Sequence, residues 1–155
     1  MPQGWRLVKA RLSAHAFDGE GARRYGGRWN SPGTKMVYTS QSAALAALEL
    51  LVHLNNSAVL ASYVLFSAQF DDRLVTTLDH SRLPKHWRTF PAPRALQALG
   101  DQWIKSRASL VLAVPSAMVD GETNFLINPE HPDIGVRAIS PPKRFEFDQR
   151  LLRPK

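Results

Sequence analysis

The sequence contains no cysteine. That single absence excludes a disulfide scaffold, a thiolate zinc site and a cysteine nucleophile, and it permits a reducing compartment. No apolar run is long enough to cross a bilayer. The longest weakly polar stretch, Ala43 to Leu54, is interrupted by Glu49 and His53, and it falls well short of the roughly 20 residues that a spanning helix needs. The first six residues lack the apolar core of a signal peptide, so the expected location is cytoplasmic, with no membrane contact. Motifs that announce a mechanism are also missing. There is no phosphate loop ending in Gly-Lys-Ser/Thr and no Gly-x-Gly-x-x-Gly after a strand. No Gly-x-Ser-x-Gly elbow supports an esterase-like serine. The five histidines (15, 53, 80, 86 and 131) form no compact ligand set, so no metal is expected.

What remains is a chain of 155 residues, 44% hydrophobic and 21% charged, an ordinary globular composition. It is expected to fold as a single domain over residues 1–155 with a sizeable core. Eleven prolines and nine glycines argue for many short elements rather than a helix bundle. The net charge is +7, and it sits at the ends. Residues 1–30 carry six basic and two acidic side chains, residues 141–155 carry five and two, and the stretch between is neutral. Such a surface can attract an anionic small molecule, an acidic partner or nucleic acid, or it can simply be solvated. A non-catalytic nucleic-acid module is disfavoured, because no recognition motif interleaves with the four tryptophans.

Local patterns predict an α+β domain. Strands are expected over 5–10, 36–39, 61–69, 74–78, 125–127, 136–139 and 144–151. The run Leu110–Val114, closed by Pro115, reads as a strand buried on both faces. Helices are expected over 43–54, with Ser40 or Ser42 as N-cap, and over 94–107, with Leu96, Leu99, Trp103 and Ile104 on one side. Residues 18–33 hold five glycines and a proline and are expected to form an extended loop with no regular element.

Within this frame Glu49 is the most telling residue. It is the only acid between Gln41 and Asp71, on a helix otherwise of alanine and leucine that reads as buried nearly all round. At 100° per residue it lies about 40° from Leu45 and about 60° from Val52. A carboxylate there is costly unless it is paired or faces a cleft, so it is either a partner-satisfied edge residue or a group with chemical work. Arg28 follows two glycines, and its guanidinium can fork onto phosphate or carboxylate, though in isolation a plain loop arginine is the better fit, and Arg23 and Arg24 compete. Ser116 ends the buried run and reads as strand-rim ligand or as turn. Tyr38 reads as core packing. Asn124, Asn128 and His131, in the Asn124–Pro132 segment, can be turn formers.

In order along the chain, these pieces resemble one family. Gly26-Gly27-Arg28-Trp29-Asn30-Ser31-Pro32-Gly33, Val37-Tyr38-Thr39-Ser40, Ala44-Leu45-Ala46-Ala47-Leu48-Glu49, Val114-Pro115-Ser116 and Asn124-Phe125-Leu126-Ile127-Asn128-Pro129 are similar to the blocks of RES-domain proteins. That family is named for an Arg, a Glu and a Ser, matched here by Arg28, Glu49 and Ser116. The resemblance spans roughly Trp5 to Ser140, with loose matches over 13–20 and 70–105.

The resemblance implies an ADP-ribosyltransferase-like fold, with small mixed or antiparallel sheets and a few helices around an NAD cleft. It implies the toxin of a bacterial type II toxin–antitoxin pair, held in a hetero-oligomer by an Xre-type helix-turn-helix antitoxin. The implied activity is degradation of NAD at the nicotinamide–ribose bond, by hydrolysis or phosphorolysis, with ADP-ribosylation of a protein as the alternative. Arg28, Glu49 and Ser116 are the implied catalytic residues, and Arg28, Tyr38, Ser116 and Asn124 the implied NAD-binding set, with NAD as substrate and no further cofactor.

Overall fold

A computed structural model describes residues 1–152 of the chain. Strand β1 (Gln3–Lys9) is an interior strand of the sheet. It pairs antiparallel along its whole length with β3 (Tyr63–Gln69), from Gln3 opposite Gln69 to Lys9 opposite Tyr63. On its other side it meets β2 (Val37–Ser40), with Trp5 opposite Ser40. β2 continues the sheet into β6 (Thr123–Ile127), β6 into β5 (Val111–Pro115), and β5 into β4 (Val75–Thr77) as a parallel edge pair. The short strands β7 (Ala138–Ile139) and β8 (Lys143–Phe145) both pair with β3. The small sheets implied by the resemblance are thus continuous, joined through β2 and β1 into one eight-stranded sheet.

Among the described residues the α-helices are α1 (Glu20–Tyr25), α2 (Ala43–Leu51), α3 (Asn56–Val59) and α4 (Arg94–Ser106). α1 corrects the expectation of an irregular 18–33 segment. Its six residues are framed by Gly19 at φ 76° and Gly26 at φ 72°, left-handed conformations that let the chain turn in and out of one helical turn. The Arg23–Glu20 pair at 2.8 Å ties that turn together.

α2 starts where the capping pattern placed it. Ser42 Oγ accepts from the Leu45 N–H at 3.1 Å, satisfying one orphan donor of the first turn. The helix stops at Leu51 rather than Leu54, and it is not buried all round: Leu45 and Ala46 are buried, while Leu48 and Val52 are 40% and 44% exposed. Alanine and leucine here reflect helix propensity as well as burial.

α4 follows its periodicity, burying Leu96, Gly100, Trp103 and Ile104 at i, i+4, i+7 and i+8. This face packs on Trp29, Met36, Leu112, Val114 and Leu126. The opposite face of the sheet buries Val37, Ala68, Phe70, Val111 and Ile127. β5 therefore lies between two cores, which is why its sequence is apolar without alternation. Each fully buried Leu or Ile of this kind stabilises the fold by about 1.5–3 kcal/mol.

The C-terminal expectations are shortened. The strand expected over 136–139 is a 3-10 turn over Pro132–Val136 followed by two paired residues. Of 144–151, only β8 is extended. Phe147 then turns inward edge-on to Tyr63, ring centroids 5.3 Å apart, and Asp148 caps a final turn by accepting from the Arg150 N–H. β8 is pinned by the aromatic packing of Phe145 and Phe147, so pairing beyond three residues is not required to hold it.

Candidate active site

Three chain segments deliver polar side chains to one end of the β2–β6–β5 strip. Ser40 closes β2 directly opposite Asn124 of β6, and Asn124 is in turn opposite Val114 of β5. Ser116 stands just past the end of β5, where its N–H still donates to the Glu122 carbonyl at 2.8 Å. Glu49, on α2, reaches into this group. Its Oε1 accepts from Ser116 Oγ at 3.0 Å, and its Oε2 accepts from Asn124 Nδ2 at 3.0 Å and from Ser40 Oγ at 3.5 Å. Ser116 is itself held: its Oγ accepts from the Met118 and Val119 N–H groups at 3.0 and 3.1 Å. Asn124 Nδ2 also donates to Ser40 Oγ at 3.0 Å.

Ser40, Ser116 and Asn124 are buried, while Glu49 is half-buried. Burial pushes the Glu49 carboxyl above its ordinary value, and it outweighs the hydrogen bonds from Ser116, Asn124 and Ser40 and the nearby charge of Arg28, all of which favour the ionised form. The result is a carboxylate whose shape is fixed by three donors and whose remaining surface faces solvent.

Arg28 lies within electrostatic reach of Glu49, and each favours the charged form of the other. Burial is nevertheless the larger influence on the arginine and lowers its pKa. Its Nη1 donates to the Trp87 and Thr89 carbonyls at 3.0 Å each. The backbone around it is nailed by Asn30, wholly buried, whose Nδ2 donates to the Ala22, Ser31 and Thr34 carbonyls at 2.9–3.1 Å. Tyr38 completes this anchor: its hydroxyl donates to Asn30 Oδ1 at 2.6 Å and accepts from the Trp29 N–H at 3.0 Å. Burial raises the Tyr38 pKa, so the phenol keeps the proton it donates. Gly27 is required beside it, because a Cβ there would stand 2.6 Å from the Tyr38 hydroxyl oxygen.

The fold therefore brings Glu49, Ser116 and Asn124 into direct contact, sets Arg28 within range of them, and connects Tyr38 to Arg28 through the loop backbone. Arg23 does not compete for the site, since it is paired with Glu20. Asn128 and His131 serve the scaffold. Asn128 Nδ2 donates to the Ile104 carbonyl at 3.2 Å, and His131 lies 3.0 Å from the Arg107 carbonyl.

Several residues escaped the sequence reading. Ser40 was legible only as a possible cap, a task Ser42 performs. The carbonyls of Trp87 and Thr89 sit in a segment without periodicity and left no signal.

A cavity of about 610 Å³ adjoins this end of the sheet, lined by Val75, Thr77, Ala113, Val114, Pro115, Thr123 and Phe125 and by Trp87, whose carbonyl accepts from Arg28. None of Arg28, Tyr38, Glu49, Ser116 and Asn124 lines it. Its lining includes the carboxylates Asp72, Asp120 and Glu122, and Asp120 is paired with Arg88 at 2.6 Å. Among the described residues no group of His, Asp and Glu side chains can hold a metal ion, and no helix is long and apolar enough to cross a membrane.

Comparison with known proteins bears on this arrangement. The model of the RES domain matches residues 3–148. Toxin Res of Yersinia enterocolitica serotype O:8 / biotype 1B is 39% identical over 148 residues, covering 95% of this chain and 97% of that protein. The Prs ADP-ribosylating toxin of Sphingobium sp. (strain YBL2) is 37% identical over 155 residues, covering 96% of each. The crystal structure of the M. tuberculosis MbcT-MbcA toxin-antitoxin complex contains a chain of the same fold, with TM-score 0.73 and 22% identity over 93% of this chain and 84% of that one. The match over residues 3–148 and the identity to these relatives along nearly the whole chain place it in the RES-domain family, as a RES-domain toxin.

Proposed function

We propose that the protein degrades NAD by breaking the bond between nicotinamide and ribose. RES toxins are NAD-utilising enzymes of the ADP-ribosyltransferase-like kind, and the observation that carries the finer reading is the Glu49 carboxylate, oriented by Ser116 and Asn124 and left partly open beside Arg28. Departing nicotinamide takes the bonding pair and leaves neutral, so little acid assistance is needed. The barrier is the positive charge that grows on the ribose ring, as in glycoside hydrolysis. A fixed, half-buried carboxylate stabilises that charge without reorganising. Arg28 grips the pyrophosphate through the donors its contacts with Trp87 and Thr89 leave free. Asn124 and Ser116 hold the ribose or the amide as they now hold Glu49. Tyr38 keeps Arg28 in place from beneath, and its pinned hydroxyl favours this task over stacking on nicotinamide. Water then attacks the anomeric carbon and yields ADP-ribose, nicotinamide and a proton; phosphate as acceptor yields the 1-phosphate of the same ribose.

A second reading, transfer of ADP-ribose to a protein, is favoured by the name of the Sphingobium relative. The MbcT-MbcA neighbour supports an antitoxin partner, which we take to be of the Xre helix-turn-helix type, in a cytoplasmic hetero-oligomer. The test is free nicotinamide released from NAD by purified protein, with and without phosphate and with a protein extract. Release without any acceptor protein, lost in Glu49→Gln, supports NAD degradation. Release only with extract, with label retained on a macromolecule, replaces it by the transferase reading, and no release in any arm overturns both.

A further inference from the structure

Helix α4 touches the Arg28 loop at three backbone points, and they lie on both sides of Arg28. Gln97 Nε2 donates to the Gly27 carbonyl at 2.9 Å. Gly100 lies against Trp29 so closely that a Cβ there would stand 1.7 Å from the Trp29 carbonyl oxygen. Asp101 Oδ1 accepts from the Ser31 N–H at 3.1 Å, and its Oδ2 accepts from the Ser31 hydroxyl. These three residues, at i, i+3 and i+4, form one face of α4. The segment leading into the same helix holds the guanidinium end through the Trp87 and Thr89 carbonyls. Backbone and side-chain tip of Arg28 are thus both referenced to one stretch of chain, residues 87–101.

We propose that Asp101 is a positioning residue for Arg28, setting its guanidinium where the pyrophosphate of the dinucleotide binds. A carboxylate that accepts two hydrogen bonds from one residue fixes both the position and the orientation of Ser31, three residues after Arg28. No other charged side chain makes a hydrogen bond to residues 27–31 among the described residues. An aspartate on the helix face nearest the loop, next to a glycine that admits close approach of the two backbones, suits rigid placement of an arginine. The inference rests on the NAD-cleaving reading and extends it to the residue that tunes affinity for the phosphates.

The experiment uses the full chain, wild type and the Asp101→Ala and Asp101→Asn variants, with thermal melts to establish folding. It measures KM and kcat for NAD, and inhibition by ADP-ribose, which carries the pyrophosphate, and by nicotinamide, which lacks it. Asp101→Ala is expected to raise KM and to weaken ADP-ribose inhibition roughly tenfold, with kcat and nicotinamide inhibition changed less than about twofold, since misplacing a gripping group by a fraction of an ångström has effects of this order. Asp101→Asn retains one acceptor for the Ser31 N–H and recovers about half of the loss on a logarithmic scale; it also serves if the alanine variant does not fold. Equal weakening of ADP-ribose and nicotinamide, or a drop in kcat alone, means general damage and overturns the proposal. Unchanged ADP-ribose inhibition in folded variants overturns it as well. A wild-type protein that releases no nicotinamide instead overturns the underlying reading, and this inference with it.

Discussion

Ser116 Oγ donates a hydrogen bond to Glu49 Oε1 across 3.0 Å, although 67 positions separate them in the chain. The serine hydroxyl has its own acceptor capacity taken by two backbone N–H groups, so its proton is directed at the carboxylate. In the reaction proposed above, this contact lets the serine orient the acid.

Replacing Glu49 with glutamine keeps the shape and removes the charge. Nicotinamide release is expected to fall about 10²–10³-fold, the usual effect of deleting one group that stabilises transition-state charge. The melting temperature at neutral pH should change little, because relief from burying the carboxylate is offset by an amide NH2 that cannot accept from Ser116 or Asn124. Steady-state kinetics beside a thermal melt checks both halves.

The same residue gives stability a pH dependence. In the folded protein Glu49 binds its proton more tightly than in the unfolded chain. Its contribution is complete below the ordinary carboxylate value and is lost as pH rises through the elevated one. Wild type should therefore lose stability relative to Glu49→Gln over that window, read as the difference between their melting temperatures at successive pH values.

Ser116→Ala removes a donor that favours the ionised Glu49. The Glu49 carboxyl should move further up, and the acidic limb of the rate profile should shift toward higher pH. An alanine variant with an unshifted limb and a uniformly lowered rate would instead mean that Ser116 touches substrate alone.

Tyr38→Phe deletes the hydroxyl that joins Asn30 to the Trp29 N–H. The orphaned buried groups should cost about 1–3 kcal/mol, seen in urea titration. The Arg28 loop should loosen, with weaker NAD binding as its second readout.

Gly100→Ala reverses the normal ranking of helix residues. In an exposed helix alanine would gain about 1 kcal/mol over glycine; here its Cβ meets the Trp29 carbonyl at 1.7 Å. A net loss of about 1–3 kcal/mol is expected, measured by denaturant unfolding.

Much of the framework was readable without coordinates. α4 declared itself by the spacing of Leu96, Trp103 and Ile104, β5 by an unbroken apolar run, and the start of α2 by a serine three residues before Leu45, all of them effects of neighbouring residues on one another. Part of what the sequence did not show depends on distant contacts, such as the inward turn of Phe147 onto Tyr63 just after β8. α1 is a different case, a six-residue helix too short to give a period.

By itself the amino-acid sequence determined the α+β class, the absence of thiol chemistry and the order of the blocks that mark the family. It also singled out Glu49 as an acid that needed a reason. Tertiary structure alone decided that Ser116 and Asn124 supply that reason, that Ser40 joins them, and that α4 braces Arg28. The contacts of Ser116 and Asn124 with Glu49 come from strand register and helix placement across 67 and 75 positions. Registers of that range are set by how two cores pack against one sheet, and no local pattern encodes them.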